Sequence, residues 1–303
     1  MIRIAIAALF FQTLAVVAQP ASDPLGPSVI DTGSDIVMTH DFTLPSPDAG
    51  PDYRVGVLVP RGPAPEAGFP VVYMLDGQAV LELLDDGTLA GLPDTSPAVI
   101  VTLGYDTDAR FATLARTRDY TPPAEDGQPV VDPRDRPAGE AAAFLQRLRA
   151  DVLPRVAQIA PVDAGRSTLW GHSYGGLFVL YAAMQADSPF AQHVSASPSL
   201  WWDYAKFMAR LERAAPDFPN RPLALHQGAE ERARASRPTN PNAQKLVQMR
   251  AALSETAFED LAASLAGAGV PVRETVFPGL SHGESFGASA LHTLNAVFAG
   301  RAP

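Results

Sequence analysis

Ser173 stands in the run Gly171-His172-Ser173-Tyr174-Gly175, and His282 follows it in Pro278-Gly279-Leu280-Ser281-His282-Gly283. A serine hydroxyl is a weak nucleophile until a base takes its proton, and a histidine is the side chain that does this near neutral pH. An acid that orients the imidazole and stabilises its charged form completes such a set. Glu230 and Glu231 both lie beyond Leu223-Ala224-Leu225-His226-Gln227-Gly228, and the position three past the glycine favours Glu231. A Ser–His dyad that uses neither acid stays open. The chemistry these types point to is acyl transfer through a serine ester.

A Gly-x-Ser-x-Gly run is common by chance, so its surroundings must give it weight. Ser167-Thr168-Leu169-Trp170-Gly171 reads as a short strand and 175–186 as a helix rich in Ala and Leu. The serine thus falls on a strand-to-helix turn, the setting of a nucleophile elbow. Gly171 and Gly175 clear side chains from that sharp turn, and Gly176 lets the helix close on the sheet. The chain order nucleophile, acid, histidine selects among six histidines. His40 precedes the serine, His172 lies in the elbow and points away, His193 and His226 are on strands, and His292 is inside the last helix. His282 remains. An oxyanion needs two backbone N–H groups aimed at one point. Tyr174, next after the nucleophile, supplies one. Gln78, in Asp76-Gly77-Gln78 after the first parallel strand, supplies the other.

The elements that must hold these residues alternate along the chain. Segments 36–44 and 53–59 read as antiparallel strands joined by a Pro/Gly turn, after a loose stretch at 19–35. Pro70–Leu75 and Ala98–Leu103 are continuous apolar runs, the pattern of strands buried on both faces. Further strands fall at 193–196, 223–226 and 272–277, and helices at 79–91, 139–159, 244–267 and 287–299. Segments 104–138 and 229–243 are charged, Pro-rich and aperiodic, and the first covers the site, whether or not it moves as a lid. The alternation predicts the α/β class. The elbow narrows it to the α/β-hydrolase fold: a mostly parallel central sheet, antiparallel N-terminal strands and helices on both faces.

The chain has 303 residues, is 47% hydrophobic and carries a net charge of −10. That length and composition suit one large core, and the charge argues against a nucleic-acid partner. The absence of cysteine excludes disulfides, thiolate metal sites and cysteine nucleophiles. Arg3, the apolar run from Ile4 to Val17 and the small-residue pattern ending at Ala18 read as a secretory signal peptide cut after Ala18. Residues 19–303 are then a single hydrolase domain, periplasmic or secreted, with no stable membrane insertion after cleavage.

Several longer motifs carry a resemblance: Val71-Val72-Tyr73-Met74-Leu75-Asp76-Gly77, Arg118-Asp119-Tyr120-Thr121-Pro122, the elbow extended to Phe178, Ser195-Ala196-Ser197-Pro198-Ser199-Leu200-Trp201-Trp202, and Gly279–Gly283. Across about residues 36–299 the chain resembles the esterase D-like branch of the α/β-hydrolases, and within it the siderophore trilactone esterases. The resemblance implies ester hydrolysis by Ser173 and His282, with Glu231 fitting members that carry a glutamate after the corresponding strand. It implies a small-molecule ester substrate, with a ferric siderophore preferred and acetyl, feruloyl or short-acyl esters as the alternative. No metal or organic cofactor is required. Arg116 and Arg118 could meet an anionic catecholate, or Arg118 could pair with Asp119 or another nearby acid and order the loop, in a segment whose acids outnumber its arginines. Trp201 and Trp202 could stack on its aryl groups.

Overall fold

The computed structural model describes residues 25–233 and 244–303. The expected signal peptide, 1–18, and part of the 229–243 loop lie outside the described residues. Eight strands form one sheet: β1 (Val37–Leu44), β2 (Tyr53–Pro60), β3 (Phe69–Leu75), β4 (Val99–Tyr105), β5 (Val162–His172), β6 (Gln192–Ala196), β7 (Leu223–Gly228) and β8 (Val272–Phe277). Their order across the sheet is β1-β2-β4-β3-β5-β6-β7-β8. β1 pairs antiparallel with β2, and β2 with β4. All other pairs are parallel.

β3 and β4 are buried at every residue. Val71, Tyr73 and Leu75 enter one apolar cluster and Val72 and Met74 the other, so the period of two along the strand supplies both faces. The first face packs under α5 (Ala141–Arg147), α7 (Tyr174–Ala183), α8 (Lys206–Ala214) and α10 (Ala257–Gly267). The second packs under α2 (Gly77–Leu81), α3 (Asp86–Ala90) and α11 (Ser285–Phe298). Four further helices, α1 (Val29–Thr32), α4 (Thr113–Tyr120), α6 (Leu153–Ile159) and α9 (Gln244–Ala251), flank the sheet among the described residues.

Several elements differ from expectation. The 79–91 helix is two, because the Asp85 carboxylate accepts from Thr88 N–H at 2.6 Å and starts a new cap. The 244–267 helix breaks into α9 and α10, where Ser254 and Thr256 hydroxyls turn to Asp260 at 3.0 and 2.9 Å. The 139–159 rod is continuous but passes through a π turn at Leu148–Val152, beside Pro154, which lacks the N–H an α ladder needs. Within the stretch expected to be loose, α1 is closed by a capping box between Ser28 and Asp31. The segment expected to be aperiodic contains α4 and a small ribbon, Val130–Val131 with Pro137–Ala138. Asp132 pins the ribbon by accepting from the N–H groups of Arg134 and Arg136, both at 2.9 Å. α8 had no counterpart among the expected helices.

Candidate active site

The carboxyl ends of β5, β6, β7 and β8 meet at one place. β5 ends at His172 and α7 starts at Tyr174, so Ser173 makes the whole turn, with φ 60° and ψ −113°. This is a left-handed backbone that a serine adopts only when its neighbours hold it there. Two glycines permit the turn. A Cβ on Gly171 would lie 2.6 Å from the Gly175 carbonyl, and one on Gly176 would lie 2.6 Å from the Ala196 carbonyl oxygen. Gly175, expected to share that duty, would place a Cβ 3.4 Å from Leu75, an ordinary contact.

The hydroxyl of Ser173 lies 3.1 Å from Nε2 of His282. Nδ1 of His282 lies 3.0 Å from Oε2 of Glu231. Of the two candidate acids, it is Glu231 that faces the imidazole. Glu230 contributes its N–H, which donates to Leu280 O at 2.9 Å and joins the acid loop to the histidine loop. That join depends on Gly228, where a Cβ would fall 2.3 Å from Leu280 O. The second carboxylate oxygen, Oε1, accepts from Gly228 N–H at 2.8 Å and from the Ser197 hydroxyl at 2.5 Å. Burial pushes the Glu231 carboxyl up, but the hydrogen bond and charge of His282, then Ser197 and Gly228, outweigh it and hold it at about 2. The carboxylate is therefore ionised and takes Nδ1–H, leaving Nε2 as an acceptor for Ser173.

His172 packs its ring 4.7 Å from that of His282. Burial, then the neighbouring His282, keeps its imidazole well below the usual histidine range, so it is a neutral wall and no second base. Its Nε2 meets the Ser285 hydroxyl at 3.1 Å, and Ser285 in turn donates to His282 O at 2.9 Å. Ser285 is three residues past His282, on the first turn of α11, so one helical turn returns its hydroxyl to the histidine.

Tyr174 follows Ser173. Its ring is buried between Trp201 and Trp202, with centroids at 5.8 and 5.7 Å, and the Arg116 guanidinium lies 5.5 Å above it. Its N–H, in the first turn of α7, has no acceptor within the helix. The same holds for Gln78 in the first turn of α2. The side chain of Gln78 is turned to β4, where it bonds both the N–H and the carbonyl of Tyr105.

The expected substrate contacts fare differently. Arg116 is not left for a ligand: it clamps Asp76 with two bonds of 2.7 and 2.8 Å, and both side chains are largely buried. Asp76 has φ 57° and turns β3 into Gly77 and Gln78. Arg118 is taken up by Asp119 at 2.7 and 3.0 Å, by the Tyr53 hydroxyl at 3.1 Å and by Asp48. Trp202 is 1% exposed and belongs to the core. Trp201 is partly buried, and the Arg250 guanidinium lies 5.8 Å from its ring.

Sequence reasoning missed Ser197, Ser199, Ser285, Asp76 and Arg250. The Ser-Ala-Ser-Pro-Ser run was legible as a motif, but nothing in it said that its hydroxyls reach the carboxylate and the nucleophile.

The family described as "Putative esterase" matches residues 46–287. An apo-salmochelin esterase of Escherichia coli O6:H1 is 39% identical over 217 residues, covering 71% of this chain and 68% of that protein. A ferri-bacillibactin esterase of Bacillus subtilis is 33% identical over 215 residues, covering 67% of this chain and 74% of that protein. The solved structure of an enterobactin and salmochelin hydrolase superposes with a TM-score of 0.71 at 33% identity, covering 91% of this chain and 100% of the other.

Proposed function

This chain belongs to the esterase family matched over residues 46–287, and on that premise we propose that it is a serine esterase that opens the ester bonds of siderophore trilactones. The observation that carries the mechanism is the line Ser173–His282–Glu231, with gaps of 3.1 and 3.0 Å. His282 takes the Ser173 proton as Oγ attacks the ester carbonyl. The N–H groups of Tyr174 and Gln78 receive the oxyanion. His282 then protonates the leaving alcohol, and in the second half-reaction it activates water against the acyl-enzyme. Glu231 keeps the imidazole in the tautomer that accepts from Ser173.

The substrate reading draws on the relatives, whose names specify salmochelin, bacillibactin and enterobactin. It also draws on Arg250, a partly buried guanidinium over Trp201 with no carboxylate partner among the described residues. A cation and an indole side by side suit an anionic aryl group. The reading includes export: residues 1–18 are removed after Ala18, and 19–303 work as one hydrolase domain in the periplasm or outside the cell.

A fluorophosphonate probe labels the wild type and fails to label Ser173→Ala. The purified enzyme cleaves ferric enterobactin or bacillibactin in preference to p-nitrophenyl acetate. Rapid cleavage of the acetate with both siderophores left intact would leave a general carboxylesterase. No labelling of the wild type would remove the serine mechanism.

A further inference from the structure

Ser199 brings a second hydroxyl to the nucleophile. Its Oγ lies 3.2 Å from Oγ of Ser173, and its N–H donates to the Ser173 carbonyl at 3.2 Å. Ser199 is 2% exposed. The direction of the hydroxyl bond follows from counting protons. The Nδ1–H of His282 points to ionised Glu231, so Nε2 is an acceptor and the single Ser173 proton is directed to it. Oγ of Ser173 then has only lone pairs to offer, and the Ser199 O–H must be the donor.

We propose that Ser199 is a further catalytic residue, whose hydroxyl stabilises the negative charge that passes through Oγ of Ser173 in both half-reactions. The inference rests on the serine-esterase reading. During acylation the O–H bond of Ser173 breaks toward His282 while the Oγ–carbon bond forms, and charge builds on Oγ. In the acyl-enzyme Oγ is an ester oxygen and a poor acceptor. During deacylation the Oγ–carbon bond breaks, its electron pair returns to Oγ, and His282 gives back the proton. One donor thus serves the entering and the departing alkoxide. The N–H groups of Tyr174 and Gln78, by contrast, serve the carbonyl oxygen.

The donor is held in advance, which is what makes such a bond effective. Ser197 has φ 44°, Pro198 fixes the next φ, and the loop is pressed on α7, with Pro198 Cα only 3.2 Å from where a Cβ of Gly176 would stand. Ser173 N–H donates to Ala196 O at 3.0 Å, so the elbow and this loop are fastened to each other in both directions.

The test is pre-steady-state cleavage of p-nitrophenyl acetate by Ser199→Ala and Ser199→Thr. In the alanine variant the burst rate and the deacylation rate both fall, by about ten- to a hundredfold. KM stays within about twofold, because the two steps slow together. Fluorophosphonate labelling slows in parallel. The threonine variant, which keeps the hydroxyl, recovers most of the loss. If the alanine variant does not fold, Ser199→Cys, similar in size and a weaker donor, takes its place. Rates within twofold of wild type in the variant lacking the hydroxyl would overturn the proposal, and so would equal losses in the alanine and threonine variants. An inactive, unlabelled wild type would instead overturn the serine-esterase reading beneath it.

Discussion

Two polar regions of this molecule lie beside each other and solve opposite problems. At the tips of β5 to β8 the hydroxyls and the imidazole form one directed chain: Ser199 donates to Ser173, Ser173 to His282 and His282 to Glu231, which also accepts from Ser197. Between β4 and α5, segment 104–138 is equally rich in charge. There the guanidiniums of Arg116, Arg118 and Arg136 are matched to the carboxylates of Asp76, Asp119 and Asp132. The first region holds the Ser173 hydroxyl between a donor, Ser199, and an acceptor, His282. The second is closed by ion pairs, two of them to Asp76 and Asp48 outside the segment. Charge counted along a sequence therefore does not give the charge a ligand meets, because a planar guanidinium near a carboxylate in a drying environment pairs with it first. Segment 104–138 reaches the site indirectly: Arg116 holds Asp76, and Asp76 turns the chain into the loop that carries Gln78.

Breaking the directed chain has the largest effect. Glu231→Gln leaves an amide against Nδ1, which can present N–H where an acceptor is needed and so favours the wrong tautomer. The expected loss is about 10²- to 10⁴-fold in kcat with little change in KM, by steady-state kinetics. The substitution also reads out in stability. The folded carboxyl is held at about 2 against an ordinary value of 4.5. A lowered pKa contributes stability that is present above about pH 4.5 and lost as pH falls toward 2. The wild type's advantage in Tm over Glu231→Gln shrinks across that window. Burial also holds His193 and His226 at about 3, but both proteins share that acid sensitivity, so it cancels in their difference. A constant difference in Tm from pH 6 to 3 would contradict the account.

How far each region could be read in advance follows from the same contrast. The strands of the central sheet were legible, because runs such as Val71-Val72-Tyr73-Met74-Leu75 are apolar on both faces and need no partner to be identified. The elbow was legible because close approach of backbone demands glycine at 171 and 176 beside the serine. His282 followed from chain order. The network behind it was not legible. Ser173 and His282 are 109 residues apart and Glu231 and His282 are 51 apart, and the hydroxyls of Ser197, Ser199 and Ser285 acquire meaning only when β6 and α11 arrive beside them. The pairing of Arg118 with Asp119 was open in the sequence, but its further partners, Tyr53 and Asp48, come from the antiparallel strands and their turn, which no local pattern connects to it. The helix breaks at Asp85 and at Ser254–Thr256 were missed because one capping side chain outweighs a good apolar period.

Breaking the closed region should cost stability and spare catalysis. Asp119 is nearly buried and is satisfied by the Arg118 fork and by the Tyr105 hydroxyl at 2.8 Å. Arg118→Met leaves that carboxylate without a counter-charge, and the expected destabilisation is about 3–5 kcal/mol by denaturant unfolding. Asp119→Asn on the same background recovers part of it. For the folded fraction, kcat and KM stay within about twofold for neutral and anionic esters alike. A rise in KM confined to anionic esters, with stability unchanged, would return Arg118 to the substrate and erase the contrast between the two regions.

Arg250 lies near the site and has no ion pair with segment 104–138 among the described residues. Burial pulls its guanidinium below the usual arginine range, with the Tyr174 phenol as the opposing influence. Its ring neighbour is Trp201, which in turn stacks near Tyr174, so the cation borders the wall that carries the nucleophile. α9 is tied to the ribbon of the closed region by Lys245, which bonds Asp135 at 3.0 Å, so Arg250 is positioned by that region without being neutralised by it. An anionic substrate gains one charge-assisted contact there, and a neutral one gains none. Arg250→Ala should therefore raise KM for a ferric catecholate ester about five- to tenfold, up to about 1.4 kcal/mol, while KM for p-nitrophenyl acetate and both kcat values hold. Equal changes for the two substrates would mean that Arg250 supports Trp201 by packing alone. A preference for anionic esters would then have to arise outside the pairings that now close segment 104–138.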